Sequence, residues 1–105
     1  MLAGKQPVTA ILCANDVIAI GAIAELRRHG FDCPRDISVT GFNDMPFVDR
    51  IDPPLTTIRV AQYEAGKCAA TILVERLEAG TQVAPRHELM PVELIVRGST
   101  APPAE

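Results

Sequence analysis

The pattern of apolar and polar positions predicts that the chain opens with a buried strand followed by a helix. Val8–Ala14 is a nearly unbroken apolar run, which is typical of a strand covered on both faces of a parallel sheet. Asp16–His29 is predicted to be a helix, because it starts at a good capping residue and ends with positive charge that suits the helix dipole. Gly30 stands where a left-handed residue usually ends a helix, and Phe31 is placed to fold back onto Leu26 as in a Schellman motif.

The sides of this helix carry almost no polar residue before Glu25. A helix that is apolar all round must be covered on more than the side that faces the sheet. We therefore expect a further packing partner, a second subunit, on its outer face.

The remaining pattern predicts three or four more extended segments and one more helix. Ile37–Gly41 is a short strand, so the order strand, helix, strand implies a right-handed crossover and a parallel pair. Leu55–Val60 is predicted to be extended and Ala61–Ala79 to be an amphipathic helix. His87–Met90 and Val92–Arg97 are predicted to be extended as well. These elements leave a parallel sheet open on at least one edge, which predicts a part of a larger α/β fold.

Composition limits the chain to one globular domain and excludes several classes of function. It has 105 residues, 48% of them hydrophobic, with a net charge of -3 and a pI near 5.3. Such a charge provides no basic field for a nucleic acid backbone, so this chain alone is not expected to bind DNA. Its three cysteines form no C-x-x-C pair, which argues against a disulfide framework or a zinc site and fits a reducing cytoplasm. No apolar run is long enough to span a membrane, and we expect no signal peptide.

Polar side chains follow each of the first two predicted strands. Asn15 and Asp16 come directly after the first strand, and Asn43 and Asp44 come after the second. The carboxyl ends of neighbouring parallel strands meet at one edge, where ligands bind in open α/β sheets. Amides and carboxylates in this position suit a polyol, whose hydroxyls both donate and accept hydrogen bonds.

The same residues have an ordinary structural explanation, because Asn and Asp are good helix caps and turn formers. For Asp16 we favour the role of helix cap. Asn15, one residue earlier, is freer to point into the crevice. For Asn43 and Asp44 the turn and the ligand explanations both stay open.

An enzymatic function finds little support in the sequence. Cys13 lies in a buried strand with no base nearby, His29 is explained as a C-terminal cation of its helix, and His87 as a residue at a strand edge. Asp32 and Cys33 lie near His29 but fall short of a closed metal site. We expect no catalytic residue, no metal and no cofactor.

Five segments in this order carry a resemblance to a known family: "CANDVIAIG", "RRHGF", "PRDISVTGF", "PPLTTI" and "LIVRGST". The chain closely resembles, from Pro7 to Thr100, the C-terminal part of the lactose-repressor (LacI/GalR) family of bacterial transcription regulators. Periplasmic sugar-binding proteins share the first N-D and the G-F-D-like element. The segments Pro53–Ile58 and Leu94–Thr100 are more typical of the repressors.

The resemblance implies a fold class and a division of the chain. The fold would be α/β, a partial three-layer parallel-sheet fold of the type I periplasmic-binding-protein kind. Residues 1–100 would be a C-terminal fragment of the effector-binding domain, with a flexible tail at 101–105. Residues 7–60 would belong mainly to the C-terminal subdomain, 61–90 to the N-terminal subdomain, and 91–100 to a returning strand.

The resemblance also implies partners and functional positions. The partners would be a sugar or sugar-like effector, a second copy of the chain, and operator DNA bound only through a separate N-terminal domain, with no membrane contact. Four positions match effector contacts or their neighbourhood: Asn15, Asp16, Asn43 and Val60. The hinge would comprise Thr56, Thr57 and Ile58, and the dimer seam Ile20, Val48, Arg50 and Ile51.

Two departures from the family pattern leave the effector open. The family more often has Asp where this chain has Asn43, so the hydrogen bonds remain but the charge is lost. Val60 has no polar group to offer. The predicted function is therefore effector sensing and dimerisation in a cytoplasmic LacI-type regulator, with a periplasmic sugar receptor and a Rossmann-like enzyme fragment as alternatives.

Overall fold

The computed structural model of the chain describes residues 7–80 and 84–104. Its elements, in chain order, are β1 (Ala10–Leu12), α1 (Asp16–Arg28), β2 (Ser38–Thr40), β3 (Thr57–Val60), α2 (Gln62–Ala79) and β4 (Val92–Ile95). The chain divides into two compact units, each described by itself below. Within the described residues, unit 1 comprises 7–59 and 93–104, and unit 2 comprises 60–80 and 84–92.

Unit 1 is built on parallel strands, as the sequence predicted. β1 pairs with β2 in parallel register, with Ile11 opposite Val39. The sheet continues through two isolated parallel bridges, Thr40 to Thr56 and Asn43 to Arg59. The carboxyl ends of three chain segments therefore meet at one edge. β3 and β4 pair in a second, two-stranded sheet.

The core of unit 1 lies between α1 and the sheet that contains β1 and β2. The helix contributes Ala19, Ile23 and Leu26, which are three or four positions apart and so share one face. The remaining buried apolar residues come from the strands and loops: Ile37, Val39, Val48 and Leu55.

The expectation that β1 is covered on both faces is wrong for this chain. Ala10 is exposed and the Leu12 side chain is 79% exposed, since the core covers only the other face of the strand. On the outer side of α1, Val17 is 60% and Ile18 51% exposed. The uncovered apolar helix face that the sequence predicted is therefore present.

The C-terminal end of α1 has the predicted Schellman geometry. Gly30 has a φ of 82°, and its N–H donates to the Arg27 carbonyl at 3.1 Å. The N–H of Phe31 donates to the Leu26 carbonyl at 3.0 Å. Phe31 packs against the core to which Leu26 belongs, so the hydrophobic contact accompanies the two hydrogen bonds.

Residues that follow β4 connect β2 by hydrogen bonds to the segment that precedes β3. The fully buried Ser99 hydroxyl donates to the Val39 carbonyl at 2.6 Å and accepts from the Thr56 N–H at 2.8 Å. Ala101 donates its N–H to the Ser38 hydroxyl at 3.0 Å. Ala101, the first residue of the predicted flexible tail, is therefore held against β2.

Unit 2 consists mainly of α2, which has no buried residue among Gln62–Ala79. Gly80 ends the helix with a φ of 74°. The predicted strand at His87–Met90 is wrong: residues 84–91 form no regular element, and Arg86 instead bonds the carboxylates of Glu75 and Glu88 at 2.9 and 2.7 Å. None of the helices in the described residues is long and apolar enough to cross a membrane.

Candidate functional site

Asp16 lies at the centre of the edge where the strands of unit 1 end. Its side chain is fully buried. One carboxylate oxygen accepts from the Thr57 hydroxyl at 2.6 Å, and the other accepts from the Met45 N–H at 2.7 Å. Asp16 therefore ties the start of α1 to the loop after β2 and to β3. Neither oxygen is exposed in unit 1, and both are hydrogen-bonded within it.

The cap of α1 is Asn15, and the prediction that Asp16 caps the helix is wrong. Asn15 has extended backbone angles, and its side-chain oxygen accepts from the Ile18 N–H at 2.9 Å. This geometry is that of an N-cap, which precedes the first helical residue. The oxygen of Asn15 is therefore occupied, while its half-buried amide nitrogen keeps its donor capacity for a ligand.

Gly41 allows β2 to approach Asp16 closely. A Cβ placed on Gly41 would overlap Oδ1 of Asp16 and would lie 2.8 Å from Cδ2 of Leu55 and 3.1 Å from the Asp16 Cα. Real Cβ atoms do not approach other atoms this closely, so the position requires glycine. The N–H of Gly41 donates to the Thr56 carbonyl at 2.9 Å, which continues the parallel pairing to the edge.

Asn43 offers an uncommitted amide at this edge. Its N–H donates to the Ile58 carbonyl at 2.8 Å, and its φ is 112°. Its half-buried side chain makes no hydrogen bond to residues 7–80 or 84–104. Because the backbone is fixed and the amide is free, Asn43 is suited to contact a ligand.

The neighbouring Asp44 is held in an ion-pair network. Its carboxylate lies 2.8 Å from Nη1 of Arg97 and 2.8 Å from Nε of Arg59. The hydrogen bond from Arg97 holds the pKa of Asp44 below its ordinary value against the opposing effect of burial, and Arg59 lowers this pKa further. The Asp44 side chain is only 11% exposed. Neither the turn nor the ligand explanation describes it fully, because its oxygens bind arginines.

The edge as a whole presents neutral hydrogen-bonding groups. The carboxylates of Asp16 and Asp44 are both engaged inside unit 1, whereas the amides of Asn15 and Asn43 keep free capacity. Phe42 adds an apolar surface beside them, 39% exposed. This chemistry suits a neutral polar molecule with hydroxyl or amide groups.

The remaining predicted effector and hinge positions lie on and before β3. Thr56 is 3% exposed and Thr57 fully buried, and both hydroxyls are hydrogen-bonded within unit 1. Ile58 is half-buried. Val60 is half-buried and is the first residue of unit 2. The chain thus passes from unit 1 to unit 2 just after the three residues predicted as the hinge.

Three of the four predicted dimer residues are accessible. Ile20 is 38% exposed, Arg50 is exposed and Ile51 is half-buried. Ile20 and Ile51 line a shallow groove of about 240 Å³ together with Ile23, Ala24, Arg27 and Asp52. Val48 does not belong to this surface: it is 2% exposed and packs in the core, so its assignment to the dimer seam is wrong.

The groups considered for catalysis show no catalytic arrangement. Burial raises the pKa of the Cys13 thiol, and burial also raises that of Cys33, which disfavours the reactive thiolate of either residue. His29 is the C-cap residue of α1 and bonds Glu25 at 3.0 Å. His87 lies in the irregular segment and not at a strand edge. Within residues 7–80 and 84–104, no group of His, Cys, Asp and Glu is placed to hold a metal ion.

Sequence reasoning missed the two residues of the final segment that organise the edge. Arg97 binds Asp44 and donates to the Leu55 carbonyl at 3.0 Å, and Ser99 bridges β2 and Thr56. Both belong to the segment "LIVRGST", which contributed to the sequence prediction only through the family resemblance. The sequence does show an arginine and a serine at the end of a predicted apolar strand. It does not show which residues they bind, because those residues are far away in sequence.

The comparisons with known proteins agree on one family. The chain matches the model of the periplasmic binding protein-like domain over residues 1–100. It is 42% identical over 95 residues to the HTH-type transcriptional repressor CytR of Escherichia coli (strain K12), covering 90% of this chain and 28% of that protein. It is 48% identical over 95 residues to the HTH-type transcriptional regulator MalR of Streptomyces coelicolor, covering 89% and 27%. The chain therefore spans just over a quarter of the length of these two transcriptional regulators.

Solved structures give the same result for the fold. A transcriptional regulator of the LacI type from Bacillus cereus subsp. cytotoxis superposes with a TM-score of 0.86 at 31% identity, over 95% of this chain and 35% of that one. The lac repressor dimer bound to operator and the anti-inducer ONPF gives 0.76 at 36% identity, over 88% and 32%. A LacI family regulator from Enterococcus faecium with bound ribose gives 0.76 at 31% identity, over 93% and 36%. The predicted α/β fold of the periplasmic-binding-protein kind is confirmed.

Proposed function

The chain belongs to the periplasmic binding protein-like domain family of LacI-type regulators, and on this premise we propose that it senses a small-molecule effector for a DNA-binding transcriptional regulator. It would supply one wall of the effector site. Unit 1 would provide the frame for that wall, and the rest of the regulator would provide the DNA-binding part and the remainder of the site.

The proposal rests on two side-chain amides, those of Asn15 and Asn43, which can still bind a ligand at an edge whose carboxylates are already bound. Asn43 has an unused side chain on a fixed backbone, and Asn15 keeps its amide donor. The neighbouring carboxylates of Asp16 and Asp44 are already bound. An uncharged sugar or nucleoside meets these groups without leaving a buried charge unpaired. A LacI family regulator of related structure binds ribose, which supports this ligand class.

Two further parts of the proposal concern partners. The net charge of -3 gives this chain no attraction for DNA, so operator binding would fall to a separate domain of the regulator, acting in the cytoplasm. The exposed face of α1 around Ile20, with Arg50 and Ile51 beside it, would pack against a second copy. The related lac repressor is a dimer, which supports this assembly.

The proposed function is tested by ligand binding to the full-length product of the gene. D-ribose, cellobiose, a sugar acid and the ribonucleosides are each titrated by calorimetry and by thermal shift. For a compound that binds, Asn43→Ala should weaken affinity by about 1–3 kcal/mol, because a buried polar group of the ligand loses its partner. No binding by any of these compounds would contradict the proposed ligand class.

Asn15 needs two variants because it has two roles. Asn15→Asp keeps the oxygen that caps α1 but removes the amide donor, whereas Asn15→Ala removes both. We expect both variants to weaken ligand binding and only Asn15→Ala to lower stability, by about 0.5–2 kcal/mol. If Asn15→Asp binds as tightly as the wild type, Asn15 is a cap and nothing more.

A further inference from the structure

Asn43 and Asp44 form a consecutive pair of residues with left-handed backbone angles. Their φ values are 112° and 55°. Asn and Asp tolerate this region better than other non-glycine residues, but two in succession persist only where the surroundings hold them. The hydrogen bond from the Asn43 N–H to the Ile58 carbonyl is one such restraint. The other must act on Asp44.

The restraint on Asp44 is a two-armed ion pair. One carboxylate oxygen lies 2.8 Å from Nη1 of Arg97, and the other lies 2.8 Å from Nε of Arg59. Arg97 is itself fixed, because it donates to the Leu55 carbonyl at 3.0 Å and is only 17% exposed. Charge-assisted hydrogen bonds to both oxygens hold a carboxylate in one orientation. The loop that carries Asn43 is therefore tied to two other segments of unit 1.

Arg59 extends this network to the ends of unit 1. Its Nη1 lies 3.3 Å from Oε1 of Glu93. Arg59 is the last residue of unit 1 before the chain leaves it, and Glu93 is the first residue of unit 1 after the chain returns. We call these two points the chain crossings. Both side chains are more than half exposed, so this pair contributes little to stability. Its importance lies in its position.

We propose that Asp44 is a positioning residue, which holds the Asn43 amide toward the effector and links it through Arg59 to the two chain crossings at Arg59 and Glu93. Effector contact at Asn43 and the geometry of the crossings then depend on each other. Such coupling is reciprocal, so restraint at either place changes the other. This inference rests on the proposed function for its ligand, but the positioning of Asn43 is independent of any ligand.

The ligand-independent part is tested by amide hydrogen exchange on the full-length protein. Asp44→Asn keeps the shape of the side chain but weakens both ion pairs. We expect exchange at the Asn43 N–H to become about tenfold faster or more, because its backbone loses the restraint. Asp49→Asn is the matched control, since Asp49 is exposed and its ion pair is with the neighbouring Arg50, at 3.5 Å. Unchanged exchange at Asn43 in the Asp44→Asn variant would overturn the positioning role.

The coupling is tested with a second variant, Arg59→Gln, which breaks the link to Glu93 while Asp44 keeps Arg97. The Arg59 side chain is 53% exposed, so we expect the variant to fold, and its melting temperature is measured to check this. Exchange is followed with and without whichever of D-ribose, cellobiose or the ribonucleosides binds the wild type. In the wild type the compound should slow exchange at residues 41–45 and also at 59–60 and 93–95. In Arg59→Gln only the first effect should remain.

The outcomes separate this inference from the proposed function. If the compound still protects residues 59–60 and 93–95 in Arg59→Gln as in the wild type, the coupling role of the network is wrong, although ligand sensing stands. If no compound binds, the proposed ligand class fails, while the exchange of Asn43 in Asp44→Asn still decides the positioning role.

Discussion

The Thr57 hydroxyl donates to the Asp16 carboxylate at 2.6 Å, and the two residues lie 41 positions apart in a fully buried environment. This hydrogen bond fastens the start of α1 to the first residue of β3. The second carboxylate oxygen binds the Met45 N–H, so the same side chain also holds the loop that carries Asn43. Asp16 thereby holds the three segments of this edge together.

Removing the hydroxyl of Thr57 should destabilise the protein. Thr57→Val keeps the shape but leaves a buried oxygen of Asp16 without its donor, which costs about 1–3 kcal/mol. Thr57→Ser keeps the hydroxyl and should cost less. The free energies come from urea unfolding, with Thr71→Val as control, because the Thr71 hydroxyl is exposed and bonds only its own helix. Equal losses in the Val and Ser variants would show that the hydrogen bond matters little.

An alanine at position 41 should disturb the edge. Gly41→Ala places a Cβ against Asp16 and Leu55, and such overpacking typically costs about 1–3 kcal/mol. Gly66→Ala is the matched control, because a Cβ there meets nothing within 4 Å and the residue lies inside α2. That control should be neutral or stabilising by up to about 1 kcal/mol. Thermal unfolding distinguishes the two, and equal melting temperatures would contradict the close approach.

The stability supplied by Asp44 should depend on pH in a defined direction. Its pKa is lower in the folded state, chiefly because Arg97 donates to it, so the folded protein favours the ionised form. The contribution is therefore present above the unfolded pKa of about 3.9 and is lost as the pH falls through the lower folded value. The difference in unfolding free energy between wild type and Asp44→Asn should be largest near neutral pH. A difference that stays constant from pH 7 down to pH 3 would contradict the ion pair.

The proposed dimer surface and the core can be told apart by two substitutions. Ile20→Glu places a charge on the exposed face of α1 and should convert a dimer to a monomer in light scattering, with little change in monomer stability. Val48→Ala opens a cavity in the core and should lower stability by about 1–3 kcal/mol while the protein stays associated. A dimer that survives Ile20→Glu would place the interface elsewhere.

The local features of α1 were predictable because their causes are local. Gly30 ends the helix and Phe31 folds back onto the core through contacts within a few residues, and those residues stand together in the sequence. The parallel pairing of β1 and β2 followed from the order of strand, helix and strand. The exposed apolar face of α1 was predictable because one sheet cannot cover a helix that is apolar on all sides. The family resemblance supplied the fold as a whole.

The sequence by itself determined the two helices, the order of β1, α1, β2, β3, α2 and β4, and the two places where polar residues gather, since each depends on propensity and periodicity along a short segment. Only the tertiary structure decided what those residues do. Asn15 takes the cap because Asp16 is already the first helical residue, and the Asp16 carboxylate binds Thr57 instead of capping the helix. Asp44 is bound by Arg97, and Val48 is buried in the core of unit 1. Thr57 and Arg97 are distant in sequence from the carboxylates that they bind, so no local pattern could predict either hydrogen bond.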